Sequence, residues 1–528
     1  MDGSVLTITW IVSFVLVTVA VTGLSRRVGW SAPITLVAVG AVASFIPWLP
    51  RIELQPELVL YGLLPPLLFA AAIRTSLVDV RARRDSILAL SVGLVLFTVV
   101  AVGFFAWLVV PGITLATGFA FAAVVAPTDA VAVTSISGRL KLPRRLVTVL
   151  EGESLFNDAA ALVALSAAIT AIVGTFNPWA VVGDFVLAVV VGVGFGLAAG
   201  YGLSAIRRQL KAPVLDTSLS LVTPFVVFIP TQLLHGSGVL AVVIAGLIVG
   251  ANAPVVQSAQ ARIADSVNWR TIRFLLENSV FLFIGLNLKG ILRGVIDSGF
   301  SISQIVLISV ATLLFLIVAR FVWISSVRFF YRVGPKRLRA RNWSWNTTVA
   351  IGFSGMRGVV TLAAAFLLPA ETVQKSFLQF LAFVVVVGTL LQGLALPWII
   401  RRLKLPPPNA DQELVEAQML MAEARAAGVA RLDAEAVESD DAAIIERLRN
   451  DAARVGESLV NPIGDGVEPA QAVFGRLRLA MIGAERDAVL AARREGRYQE
   501  PAVRAILASI DAEEVAVRVL SHTNRTDS

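Results

Sequence analysis

The chain has 528 residues, 56% of them hydrophobic and 16% charged, with a mean hydropathy of +0.78. Soluble domains carry roughly a quarter charged residues, so this composition points to a membrane protein. The absence of cysteine excludes disulfides, thiolate metal sites and cysteine nucleophiles, and the formal charge of +8 lies mainly between apolar runs, which fits membrane orientation rather than a nucleic-acid surface.

The first apolar run, "VLTITWIVSFVLVTVAVTGL" (5–24), is long enough to cross a hydrocarbon core of ~30 Å. Asp2 precedes it and Arg26 and Arg27 follow, the reverse of a cleaved signal, so it reads as a permanent span with its N-terminus outside. Further spans are predicted at 31–49, 56–73, 86–110, 112–136, 150–173, 178–205, 216–234, 237–253, 271–290, 301–327, 345–369 and 375–400, thirteen in all. Basic residues concentrate after odd-numbered spans: Arg26 and Arg27; Arg74, Arg81, Arg83 and Arg84; Arg139, Lys141, Arg144 and Arg145; Arg207, Arg208 and Lys211; Arg262 and Arg270; and a block from Arg328 to Arg341. Connections after even-numbered spans hold little beyond Arg51, Lys289, Arg293 and Lys375, so the positive-inside rule puts the C-terminus in the cytoplasm.

Composition changes abruptly at Pro406, Pro407 and Pro408. Residues 1–402 form the expected transmembrane domain and 403–528 a cytoplasmic tail, rich in Ala, Glu, Asp and Arg, with helical runs such as "ELVEAQMLMAEARAAGVARL" and no catalytic motif.

Three segments interrupt the apolar pattern. Span five carries Pro127, Thr128 and Asp129, and Pro127 removes a backbone donor and frees carbonyls at membrane depth. Span twelve carries "AIGFSGMRGVV", where Gly352, Gly355 and Gly358 surround Arg357. The seven-span offset between them is what an inverted repeat of six spans, with span seven as connector, produces; paired interruptions of this kind point to a transporter midplane site. Span six opens with "EGESLFNDAAALVAL", which places Ser154 and Asp158 on one helical face and Glu153 and Asn157 on a neighbouring one. Glu151 lies nearer the membrane edge, and span eleven adds Arg320 between apolar neighbours.

Asp129, Glu153 and Asp158 outnumber Arg320 and Arg357 by one negative charge. Buried charges are normally paired, so one carboxylate needs a mobile partner, either a proton or an alkali cation. The histidines are His235 and His522, neither placed to carry a central proton, so a carboxylate must do so.

"APTDAVAV", "EGESLFND" and "GFSGMRG", with "LLPPLLFAAA" (63–72) and "LENSVFLFIGL" (276–286), resemble the sodium/proton exchanger branch of the monovalent cation:proton antiporters over roughly residues 5–402. The resemblance implies an all-α polytopic fold of thirteen transmembrane helices, with inverted repeats, two crossed interrupted helices, a dimerisation domain and a mobile six-helix core, working as a homodimer. Carried over by residue, it makes Asp158 the ion- and proton-binding carboxylate, with Thr128, Asp129 and Ser154 completing the cation site. It puts Asn157 where electrogenic relatives have a second aspartate, implying electroneutral exchange. Glu153 would pair with Arg320 to brace the core, and Arg357 would stabilise the crossing near Asp129. Ala70 departs from the pattern, since many relatives are acidic there.

The expected function is therefore secondary antiport in the plasma membrane, exchanging cytoplasmic Na⁺ for external H⁺ in pH and cation homeostasis. K⁺ and Li⁺ are open as substrates, and no cofactor or nucleic-acid partner is implied. Oxygen groups suit hard alkali cations. The alternatives are a K⁺-selective proton antiporter and a cation channel. A membrane enzyme lacks a supporting nucleophile or metal motif, and no nucleotide-binding loop suggests a primary pump. Gly192, Gly196 and Gly200 in span seven form a close-packing surface, used either within the subunit or between subunits.

Overall fold

The computed structural model describes residues 3–47, 58–129, 142–174, 178–296, 299–339 and 342–405, and in the tail chiefly 426–434, 470–494 and 510–517. Residues 130–136 of the expected fifth span, the Pro406–Pro408 linker, and Arg51, Arg139, Lys141 and Arg341 lie outside the described residues. The chain forms two compact units, Met1–Pro406 and Pro407–Ser528.

All regular structure among the described residues is helical, with no β-sheet. In the first unit, besides the short helical segments Leu77–Ala82 and Lys336–Arg339, the described helices are α1 (Gly3–Val28), α2 (Ala32–Ala43), α3 (Leu58–Ala72), α4 (Arg84–Val109), α5 (Leu115–Val125), α6 (Arg144–Val173), α7 (Pro178–Gln209), α8 (Pro213–Leu233), α9 (Gly238–Val256), α10 (Ala259–Ile296), α11 (Ile302–Val333), α12 (Trp345–Phe353), α13 (Val359–Phe366) and α14 (Lys375–Leu403). Eight of them, α4, α6 to α11 and α14, are long and apolar enough to cross a membrane among the described residues; α2, α3 and α5 are shorter apolar helices. The expected twelfth span appears as two half-helices, α12 and α13, separated by non-helical backbone at 354–358.

Local chemistry sets several of these ends. Thr114, Ser237, Ser301 and Ser344 cap α5, α9, α11 and α12 by accepting from the backbone N–H three residues on, which satisfies a donor the helix itself cannot. Helix α5 stops just before Pro127, which has no N–H to continue the ladder.

The outward face of α7 exposes Val182, Val186, Leu187, Val190 and Leu197, as a lipid-facing helix requires. Its glycine face is used within the chain. A methyl group at Gly192 or Gly196 would lie 2.8 Å from the carbonyl oxygen of Ser237 or Ala241, so the three glycines let α7 and α9 approach backbone to backbone. Likewise α2 and α10 cross at Gly40 and Gly285. Between these layers the main core gathers α3, α5, α9 and α14 around Phe69, Phe121, Val242, Phe377 and Leu381, all fully buried.

In the second unit, helix α15 (Ala470–Arg494) buries Ile482 with Ile510 and Val517. Arg478 pairs with Glu485 and Glu513, and Arg486 with Asp511 and Glu514, at 2.5–2.9 Å.

Candidate cation site

The chain leaves helical geometry after α5 and again between α12 and α13, and the two breaks meet. The Asp129 backbone N–H donates to the Met356 carbonyl at 2.7 Å. Gly358 is a glycine because a side chain there would strike Asp129: an added Cβ would sit 2.6 Å from the Asp129 Cβ. Each broken helix ends on carbonyls without an intrahelical partner, and an arginine answers each end. Arg357 Nε donates to the Val125 carbonyl of α5 at 3.2 Å. Arg320, from α11, donates through Nε and Nη2 to the Ile351 carbonyl of α12 at 3.3 and 3.0 Å.

Helix α6 crosses behind this junction. Glu153 is 1% exposed and accepts from Arg320 through both oxygens, at 2.6 and 3.2 Å. The same carboxylate accepts the Thr128 hydroxyl at 2.8 Å. Asn157 Nδ2 donates to the Thr128 carbonyl and hydroxyl at 2.9 and 2.8 Å. Thr128 is thereby oriented on two sides, and its hydroxyl keeps one lone pair uncommitted by these bonds. The bidentate pair and its neighbours form a rigid backing, since breaking one member would strand a buried charge.

In front of that backing lies a cavity of about 290 Å³. One wall is Pro127, Thr128 and Asp129 from the first break, Glu151, Ser154 and Asp158 from α6, and Gly358 and Thr361 from the second. A second wall is Leu67, Leu68 and Ala71 of α3, Arg74 and Thr75 beyond it, and Arg273 and Glu277 of α10. All four residues expected around a cation, Thr128, Asp129, Ser154 and Asp158, line this one cavity, whereas Glu153, Asn157, Arg320 and Arg357 stand behind it. Asp158 is partly exposed to the cavity, and no group hydrogen-bonds its carboxylate among the described residues. Four hard oxygen donors around one small polar space can hold a dehydrated alkali cation; they offer no soft or nitrogen ligand.

Three charged residues of this cavity escape a reading of the sequence alone, and a fourth joins them. Arg74 reads as a topology marker in a loop, and Arg273 and Glu277 as unremarked members of span ten. Yet their i,i+4 spacing inside an apolar helix is a detectable signal, and they pair at 2.6 Å. Glu151, expected nearer the membrane edge, is exposed and also lines the cavity. Counted with the backing, five carboxylates (Asp129, Glu151, Glu153, Asp158, Glu277) face four guanidiniums (Arg74, Arg273, Arg320, Arg357), which again leaves one negative charge in excess. Ala70 is fully buried and does not line the cavity, so α3 brings no charge to it.

The transmembrane sodium/hydrogen exchanger family matches residues 12–402. An uncharacterized Na⁺/H⁺ exchanger of Mycobacterium tuberculosis is 29% identical, over 97% of this chain and 97% of that one. A sodium, potassium, lithium and rubidium/H⁺ antiporter of Bacillus pumilus is 31% identical, over 68% of this chain and 56% of that one. The solved structure of MjNhaP1, the sodium proton antiporter of Methanocaldococcus jannaschii, has a TM-score of 0.61 at 17% identity, over 76% of this chain and 99% of that one, a likeness of fold. The chain belongs to the sodium/hydrogen exchanger family: it is an all-helical, multi-pass membrane protein and a secondary active sodium/proton antiporter rather than an enzyme.

Proposed function

We propose that the antiport runs through the Asp158 carboxylate, which binds one proton or one monovalent cation in alternation, with Asp129, Thr128 and Ser154 supplying further oxygen ligands. The observation that carries this reading is the position of Asp158: a carboxylate on a polar cavity, without a hydrogen-bond partner among the described residues, beside three other oxygen-bearing side chains. Glu153 and Arg320 already satisfy each other, so the exchangeable charge falls to Asp158. Asn157 is neutral and contributes no second exchangeable charge, which makes the exchange one-for-one and electroneutral.

The wall formed by α5, α6 and the α12–α13 break belongs, on this reading, to a moving core, and the wall formed by α3 and α10 to a scaffold. Displacement of one wall against the other would expose Asp158 alternately to each side, with thirteen spans, inverted repeats, an external N-terminus and a cytoplasmic tail in the plasma membrane. The family resemblance supports a homodimer built on that scaffold.

Na⁺ is the proposed principal substrate. The Bacillus relative is named for sodium, potassium, lithium and rubidium, which keeps K⁺ and Li⁺ as substrates to be tested. Purified protein in proteoliposomes, under an imposed pH gradient, should show saturable proton movement on adding Na⁺. Parallel additions of K⁺ and Li⁺ rank the cations. Conductive cation flux that needs no counter-moving proton would establish the channel alternative instead.

A further inference from the structure

We infer that Arg273 is a fixed positive charge that opposes loading of the transported cation at Asp158, and that Glu277 limits how strongly it does so. The pair would set apparent cation affinity without itself carrying the ion. This rests on Asp158 being the exchanging carboxylate.

Arg273 and Glu277 sit one turn apart on α10 and line the same cavity as Asp129, Glu151, Ser154 and Asp158. Their pairing is lopsided. Arg273 donates to Glu277 through Nε alone, at 2.6 Å, which leaves both terminal amino groups for other acceptors. Both side chains are also partly open, at 29% and 20%, unlike the Arg320–Glu153 pair at 3% and 1%. Asp158, Asp129 and Glu151 lie within electrostatic reach of this guanidinium, and Arg74 is the other cation on the cavity. A cation arriving at Asp158 therefore meets a resident one. Because Arg273 and Asp158 reach the cavity from different helices, α10 and α6, motion of one helix against the other would also change how closely Arg273 approaches the site.

The sign of the effect separates this role from a structural one. A fixed charge changes the local potential, so it shifts the proton and cation affinities of one carboxylate by the same factor. At alkaline pH, protons do not compete and KM moves by the full factor. At acid pH the cation must displace a proton, the two shifts cancel, and KM stays where it was.

Arg273→Gln should thus lower the KM for Na⁺ at alkaline pH and leave it unchanged at acid pH. The expected change is roughly two- to thirty-fold, the span Coulomb's law gives for one charge about 8 Å away between aqueous and protein-like screening. Glu277→Gln should raise KM at alkaline pH only. Arg273→Lys, and Arg273→Gln combined with Glu277→Gln, each keep the formal charge and should lie close to wild type. The measurement is Na⁺-driven proton flux in proteoliposomes at two pH values, with kcat followed alongside KM. A KM that is unaltered at alkaline pH, or altered equally at both pH values, overturns the inference. So does a folded Arg273→Gln protein that exchanges nothing beside an active Arg273→Lys. Should Arg273→Gln fail to fold, Arg273→Lys and Glu277→Gln carry the test. Asp158→Asn run in parallel keeps the two readings apart: exchange by that variant removes Asp158 from its role, whereas a dead Asp158→Asn beside a pH-independent Arg273→Gln removes only the role of Arg273.

Discussion

Two buried ionic clusters sit in the same membrane unit and are built from the same side chains, yet they differ in what they leave open. Behind the ends of α7 and α8, Arg207 is 1% exposed and lies between Asp216, at 2.5 Å, and Asp265 of α10, at 3.0 Å. Gln257 donates to Asp216 at 2.8 Å, and Arg262 closes the group through the Gln257 carbonyl at 2.5 Å. Asp216 and Asp265 share the one Arg207 guanidinium, each accepting from it, and none of these residues lines the candidate cation cavity. Around Asp158 one carboxylate accepts no hydrogen bond among the described residues, and it faces a space large enough for a ligand. Burial and charge alone therefore do not mark function. A buried cluster whose carboxylates are held by a guanidinium fixes helices to one another, and on the proposed reading a carboxylate left open to a cavity exchanges a mobile partner.

The sharpest break of this comparison is Asp158→Asn. It should abolish cation-dependent proton flux while leaving a folded, membrane-inserted protein, because the exchangeable charge is gone and no ion pair is stranded. Asp265→Asn should do the reverse, preserving exchange in whatever protein survives its loss of stability. Robust flux from Asp158→Asn would dissolve the distinction between the two clusters.

Next in size are the arginines. Removing one partner of a buried pair costs about 3–5 kcal/mol, moderated in a membrane protein by access of water. Arg320→Ala strands Glu153, and Arg207→Ala strands Asp216 and Asp265, so thermal unfolding in detergent should fall substantially for each. Glu153→Gln should partly rescue Arg320→Ala. A double variant no more stable than Arg320→Ala would show that Glu153 is not the group left behind. Arg207→Ala should exchange with the wild-type KM, whereas Arg320→Ala also frees the Thr128 hydroxyl from its backing and should not.

The two clusters were unequally legible in the sequence. Apolar run lengths and Pro, Gly or carboxylate interruptions expose Pro127, Asp129, Asp158 and Gly358, because these residues violate what a membrane helix tolerates. Arg207 violates nothing. It closes an apolar run beside Arg208 and Lys211, and reads as a topology marker, although the structure buries it completely. Its partners lie 9 and 58 residues away, in positions that read as interfacial. Helical periodicity says which face a residue occupies and nothing about what crosses it from another helix. The same limit hid Arg273 and Glu277: their mutual spacing is visible, but their approach to Asp158 across the cavity is a fact of tertiary packing.

A smaller effect separates a ligand hydroxyl from a structural one. Ser154 lines the cation cavity, while Ser220 accepts the buried Trp269 indole N–H at 2.9 Å. Ser154→Ala should raise KM for the cation by roughly two- to ten-fold, corresponding to about 0.5–1.5 kcal/mol for one neutral interaction. Ser220→Ala should leave KM alone and lower stability by about 1–3 kcal/mol, because an indole donor is left buried without an acceptor. Exchange kinetics and thermal unfolding on both variants give the answer. An unchanged KM in Ser154→Ala would take that hydroxyl out of the cation shell.

The smallest expected effect is none at all, and it is the most demanding test of the charge assignment. If Asp158 alone exchanges its partner, each half-cycle carries the same net charge, once with a proton and once with a monovalent cation. A membrane potential acts on net charge moved, at ~2.3 kcal/mol per charge per 100 mV. It should then neither drive nor oppose the exchange. Na⁺-driven pH changes in proteoliposomes, with the voltage set to different values by K⁺ and valinomycin once the protein is shown not to carry K⁺, should reach the same endpoint throughout. An endpoint that follows the voltage would mean that a second carboxylate exchanges protons. Glu277 and Glu151 would be the first to examine, because they face the same cavity, whereas Glu153 is held through both oxygens by Arg320.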